Sequence, residues 1–242
     1  IPFHGTLYNP ATVGDVRQVV APPYDIIDAT LQKTLHDRHP NNVIRLEHGY
    51  EQPGDTTGDN KYLRAAGALK EWLKSGALRR DDKPAIYYHT IEYQPPYSAP
   101  GTPTKVFKGF LSTVELEEFG SGKIYPHENT RAAAKTDRFN LLEACRANFS
   151  AIISLYSDPQ NDVLTLIERS IASDKPRIDF QDDVGFRQRL WSVTDPAVLA
   201  KVVEIMHTKQ LFIADGHHRY ETALNYRRAR RQQAGAPSGP QP

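Results

Sequence analysis

From Leu211 to Leu224 the chain reads Leu-Phe-Ile-Ala-Asp-Gly-His-His-Arg-Tyr-Glu-Thr-Ala-Leu. An apolar run of strand type stops at Asp215 and Gly216, and a helical pattern begins at once, so a strand must hand over directly to a helix. Gly216 permits positive φ and close approach of a ligand to the backbone. A helix start leaves backbone N–H groups unpaired and carries the positive end of the helix dipole, which together make an anion seat. Around that seat stand Asp215, His217, His218 and Arg219. Arginine is a permanent planar cation suited to phosphate oxygens. The histidines can donate hydrogen bonds, relay protons or ligate a metal, and Asp215 can hold Mg²⁺ or accept a proton. Tyr220, Ala223 and Leu224 follow at helical spacing and are expected to anchor the helix to the core. The plainer alternative is a helix capped by Asp215 with histidines on its surface.

Elsewhere helical and strand patterns alternate. Helices are expected over 28–38 with Asp28 as N-cap, over 60–75 closed by Gly76, and over about 136–148. Two more are expected over 162–172 and, from the Asp195-Pro196 start, to about His207. The 60–75 helix should bury a face made of Leu63, Ala66, Leu69, Trp72 and Leu73. Strands are expected over 42–47, 85–94, 105–117 and 151–156, the last of them buried. The 85–94 and 105–117 runs should pair as a hairpin around a proline-rich loop, and 177–193 should form a second hairpin. These patterns give an α+β class, with mostly antiparallel sheet and interspersed helices. One α+β domain is expected over 1–232, or two lobes over about 1–80 and 81–232, followed by a disordered tail over 233–242. The opening Ile1-Pro2-Phe3 and the low-complexity end read as a piece of a longer protein whose C-terminal portion is absent.

Two further polar constellations accompany the junction. The first is Tyr125-Pro126-His127-Glu128, an acid–base pair in a loop stiffened by proline, with Lys135, Asp137 and Arg138 at the start of the next helix. Glu128 could deprotonate a hydroxyl nucleophile, and Lys135 and Arg138 could hold an anionic substrate. The second is Ala21-Pro22-Pro23-Tyr24-Asp25, with Arg45 downstream, where the rigid proline pair would present Tyr24 and Asp25.

Composition removes several functions. Net charge is +1 over 242 residues, so no global field favours nucleic acid or an anionic membrane; the local exception is Arg227-Arg228-Ala229-Arg230-Arg231. No apolar run approaches the ~20 residues that span a bilayer. Cys145 is the only cysteine, which rules out a disulfide framework and a cysteine-based zinc site and makes the cytoplasm the expected location.

The three constellations together resemble the bacterial and archaeal family catalogued as Domain of Unknown Function 1015. The resemblance runs through Ala21–Asp25, His39–Asn42 with Arg45-Leu46, Pro126–Glu128 with Thr130, Lys135, Asp137-Arg138, Leu141-Leu142, Ala147-Asn148 and Leu155-Tyr156. It closes on Phe212–Ala223, having covered nearly all of the chain to about Tyr226. Ala132-Ala-Ala134 and Ala151 stand where the family would be expected to place Pro or Gly. Asp215–Tyr220 alone also looks like the phosphate-binding segment of the ParB and sulfiredoxin superfamily, which includes free-serine kinases. That shorter resemblance implies that Gly216, His217, His218 and Arg219 grip nucleotide phosphates, that Asp215 serves Mg²⁺ or the nucleophile, and that Glu128 is the base.

The expected activity is therefore a nucleotide-dependent phosphotransferase or NTP hydrolase acting on a small hydroxyl-bearing metabolite, with Mg²⁺ and ATP or ADP. Its catalytic groups would be Glu128, Asp215 and His127. Gly216, His217, His218, Arg219, Lys135 and Arg138 would bind phosphate, and Tyr24, Asp25 and Arg45 would bind the acceptor. One rival is a ParB-like nucleotide-sensing or nucleic-acid-associated module. Another is a metal-dependent hydrolase built from His127, Glu128, His217, His218 and Asp215, although adjacent helical histidines share one face poorly.

Overall fold

A computed structural model describes residues 1–99, 101–120, 122–128, 130 and 132–235, the side chains of 132–134 excepted. In chain order the elements begin with β1 (Thr6–Tyr8), α1 (Pro10–Val13), α2 (Ala29–Arg38), α3 (Ile44–Glu47), α4 (Lys61–Ser75), β2 (Leu78–Arg80), β3 (Ile86–Tyr93) and β4 (Lys105–Leu111). They continue with β5 (Ile124–Tyr125), α5 (Ala132–Cys145), β6 (Ile153–Leu155), α6 (Asp162–Ser170), β7 (Ile178–Gln181) and β8 (Arg187–Val193). α7 (Pro196–His207), β9 (Leu211–Asp215) and α8 (His217–Gln233) complete them.

The class is α+β, with antiparallel pairing dominant. β4-β3-β8-β7 form an antiparallel sheet, β1 pairs with β2, and the third sheet has the order β5-β9-β6. Both expected hairpins are present: Tyr87 lies opposite Leu111 across β3 and β4, and Ile178 opposite Leu190 across β7 and β8. Helices α6 and α7 cover the four-stranded sheet, burying Ile86, Tyr88, Val193, Ile167 and Val202 together. A second core joins Val13, Leu46, Trp72 and Leu78. The third packs α8 onto the small sheet through Ile124, Ile213, Tyr220 and Leu224. The Tyr220 hydroxyl fixes that packing, donating to the Glu117 carbonyl at 2.8 Å and accepting from the Glu117 N–H at 3.0 Å.

Caps mark the helix starts that the sequence announced. Asp28 accepts from Leu31 N–H, Asn60 from Tyr62 and Leu63 N–H, and Asp195 from Ala197 and Val198 N–H, each side chain satisfying a donor that the helix leaves orphaned. Gly76 closes α4 at φ 77°, a left-handed turn that glycine adopts without strain.

Four expectations are corrected. The run over 42–47 is helical from Ile44: the Asn42 side-chain oxygen accepts from Ile44 N–H and its amide donates to the carbonyls of Gln18 and Val20, so a buried asparagine starts a turn where alternation alone suggested a strand. In α4 the buried face is centred on Ala65 and Trp72, leaving Leu63 and Leu73 exposed. β6 is not buried: Ile153 and Leu155 are 45% and 56% exposed, because α8 covers only the other face of that sheet. Asp137 lies in the second turn of α5, well inside the helix. Of the tail expected over 233–242, Gln233 belongs to α8, and residues from 236 onward lie outside the described residues.

Candidate functional site

The handover from β9 to α8 is as abrupt as its residues require. Gly216 adopts φ 95° and ψ 29° and, having no side chain, cannot itself cap the helix. A Cβ at this position would lie 3.0 Å from the Arg219 guanidinium. Arg219 folds back over the glycine and donates to the Asp215 carboxylate and the Ala151 carbonyl. Asp215 is therefore an ion-pair partner of Arg219, and its carboxylate does not cap the helix.

β5 runs parallel to β9, with Tyr125 level with Phe212. The residues that leave β5 consequently emerge at the same end of the sheet as Asp215 and Gly216. His217, 2% exposed, accepts a hydrogen bond at Nε2 from the His127 backbone N–H at 3.2 Å. Its Nδ1 lies 3.5 Å from the Glu128 carboxylate, and His127 Nε2 lies 3.7 Å from the same group. The two imidazoles meet edge to face with centroids 4.5 Å apart.

Farther along α8, Glu221 Oε2 accepts from Lys135 Nζ and the Thr130 hydroxyl, both at 2.7 Å. Burial alone would raise the Glu221 pKa, but these two donors outweigh it and hold it below the usual range. The charge of His218 acts in the same direction on Glu221.

Arg138, 7% exposed, sits at the centre of a buried polar cluster. Its Nη1 donates to Glu47 Oε1 at 2.9 Å, its Nη2 to the Glu47 carbonyl at 3.0 Å, and Nε and Nη2 to the Asp137 carboxylate at 2.9 and 2.6 Å. The Tyr24 ring lies 4.1 Å from the guanidinium carbon, a cation–π stack. Burial raises the Glu47 pKa despite Arg138 and a 3.0 Å hydrogen bond from Ser150. Asp137 goes the other way. Burial works to raise it, yet hydrogen bonds from Lys61, Arg138 and Tyr62 bring it down to about 2.

A cavity of about 30 Å³ opens beside this cluster, lined in part by Glu47, Arg138, Ser150, Arg219 and Thr222. Space of that size takes a water or two, or a small polar group. The Thr222 hydroxyl is buried there without a hydrogen-bond partner among the described residues.

Residues from all three constellations therefore meet. Arg219 and Arg138 share one cavity, Tyr24 stacks on Arg138, and His127, Glu128 and Lys135 reach α8 directly. Two expected residues do not join them. Arg45 turns toward α2, donating to the His36 carbonyl at 2.7 Å, and Asp25 is exposed on its own turn. The arginine run near the C-terminus is partly tied down: Arg227 binds the Leu116 carbonyl and Glu118, and Arg228 binds Glu118 as well. Two carboxylates escaped notice in the sequence. Glu47 stood as one more polar residue in an alternating run, and nothing local set Glu221 apart within its helix.

Fold and site together define an α+β protein with a polar centre built around a strand–glycine–helix junction and a buried arginine. The chain belongs to the family described as Protein of unknown function (DUF1015), whose model matches residues 1–242. No curated protein and no solved structure matches it. No described helix is long and apolar enough to cross a membrane.

Proposed function

We propose that this protein is a nucleotide-dependent phosphotransferase or NTP hydrolase acting on a small hydroxyl-bearing metabolite. One observation carries the reading: the loop and helix that hold His127, Glu128 and Lys135, far away in sequence, reach the first turns of α8, whose N-cap is a glycine, and Tyr24 joins them through Arg138. In this reading the backbone N–H groups that follow Gly216, with Arg219 and His218, take the nucleotide phosphates. The segment would then act in the manner of the ParB and sulfiredoxin element it resembles. Lys135 and Arg138 supply further positive charge, and Tyr24, stacked on Arg138, would border the acceptor; the cavity beside Arg138 has room only for a small polar group of it.

Glu128, exposed and oriented by His217, is the base for the acceptor hydroxyl, with His127 beside it. Mg²⁺ would accompany ATP or ADP, and Asp215, a hard oxygen donor at the mouth of the junction, is the residue to hold it in competition with Arg219. Catalysis would rest on positioning and charge neutralisation, as is general for phosphoryl transfer. An enzyme of this kind, with its lone thiol partly buried, suits the cytoplasm. The net charge of +1 weighs against the nucleic-acid alternative.

Calorimetric titration with ATP and ADP, with and without Mg²⁺, tests the proposal. Replacing Arg219 or His218 with Ala should weaken binding at least tenfold, about 1.4 kcal/mol, while the circular dichroism spectrum stays that of the unaltered protein. Unchanged nucleotide affinity in both variants refutes this assignment.

A further inference from the structure

At the mouth of the junction, apart from the arginine-lined cavity, His127, Glu128 and His217 each present one ligand-capable atom, and those three atoms lie within 4.8 Å of one another. The topology produces this cluster. Parallel pairing of β5 with β9 brings the Pro126–Glu128 loop to the start of α8, where a buried imidazole turns both ring nitrogens toward that loop. His127 and Glu128 are exposed, so the cluster is open to solvent on one side.

The donor set is selective. Two imidazoles and a carboxylate suit zinc and similar transition metals, whereas Mg²⁺ and Ca²⁺ prefer a shell made of oxygens. Three protein ligands leave a coordination position open, as in zinc sites that bind water or substrate. The hydrogen bonding of His217 sets the state from which a metal would bind. Because Nε2 accepts the His127 N–H, the neutral ring carries its proton on Nδ1, facing Glu128. A metal on Nδ1 needs that lone pair, so the proton must move to Nε2 and the 3.2 Å bond to His127 is given up. Metal binding therefore exchanges one tie between loop and helix for another.

We propose that His127, Glu128 and His217 form a site for one divalent transition-metal ion of the zinc type, with one coordination position free. Among the described residues the ligand-capable atoms that come together here are those of His127, Glu128 and His217, and neither His218 nor Asp215 belongs to the group. The site does not rest on the nucleotide reading: with the ion bound, Glu128 and His127 are ligands and no longer free as base and partner, and the ion differs from the Mg²⁺ that would accompany a nucleotide.

The test is calorimetric titration of chelator-treated protein with Zn²⁺ at neutral pH, and in parallel with Mg²⁺. The expected result is one Zn²⁺ per chain, with affinity at least tenfold weaker in His127→Ala and in Glu128→Gln, unaltered in His207→Ala, and no comparable Mg²⁺ signal. His127 and Glu128 are exposed, so both variants should keep the parent melting temperature without metal, which separates ligand loss from unfolding. Absence of saturable Zn²⁺ binding overturns the proposal, and so does unchanged affinity in either variant. Nucleotide titrations on the same metal-free protein report separately on the phosphotransferase reading, so the two can fail independently.

Discussion

Arg138 makes four hydrogen bonds and one ring stack while nearly sealed from solvent. A buried ion pair adds little net stability, but removing one partner strands the other charge in a poorly solvating interior. Arg138→Ala should therefore lower unfolding free energy by about 3–5 kcal/mol in urea titrations, and Glu47→Gln added to it should recover part of the loss. A cost below about 1 kcal/mol would mean that the cluster is open to water. His36 makes the residue-scale case for pH. It stacks on Tyr50 at 4.0 Å with a buried Nε2 that has no hydrogen-bond partner among the described residues, and burial, assisted by the Arg45 charge, brings its pKa from 6.5 to about 4. The unfolded chain then binds a proton that the folded chain refuses, so this contribution is complete above pH 6.5 and is lost as pH falls toward 4. His36→Phe should flatten the stability curve across that window, measured by urea unfolding at each pH. Glu47, raised by burial, works in the opposite sense and cancels in the comparison between the two proteins. Asp137 acts lower still: its stabilisation is complete above about pH 4 and is lost toward pH 2. An identical slope in His36→Phe would contradict the assignment.

Elements whose ends are announced by local chemistry were legible, and those decided by tertiary packing were not. Asp28, Asn60 and Asp195 marked three helix starts, and Gly76 a helix end, because capping is a contact within a few residues. The turn at Asn42 is different: its side chain is satisfied by carbonyls more than twenty residues away, at Gln18 and Val20, which no local pattern reveals. β6 reads as a buried strand from composition, yet only its partner sheet and α8 decide which face is covered. The β9–α8 junction was legible because Asp215-Gly216 interrupts an apolar run. Its glycine supports a direct test at this scale. Gly216→Ala puts a side chain at φ 95° and within 3.0 Å of Arg219, which should cost about 1–3 kcal/mol and displace the guanidinium. A melting temperature equal to that of the parent protein would show that the turn relaxes freely.

On the scale of the molecule, the residue types of the candidate site were visible in sequence, but their meeting was not. Proximity of Arg138 to Arg219 depends on how α5 packs against α8, and the β5–β9 pairing that delivers His127 and Glu128 involves only two residues of β5. Arg45 illustrates the converse. It lies close in sequence to the central Glu47, but the short turn of α3 sends it to the opposite side, against His36. Glu47 went unnoticed because its role exists only once α3 and α5 are in contact.

The central claim is that the start of α8 binds nucleotide phosphate, and titration of ATP and ADP into the protein and its Arg219→Ala variant tests it most directly. Arg187→Ala, an exposed residue at the start of β8 and in a different sheet from the junction, serves as a control for general loss of positive charge. Saturable binding that weakens at least tenfold in Arg219→Ala and persists in Arg187→Ala is the expected result. Absence of nucleotide binding, or equal affinity in all three proteins, would contradict it.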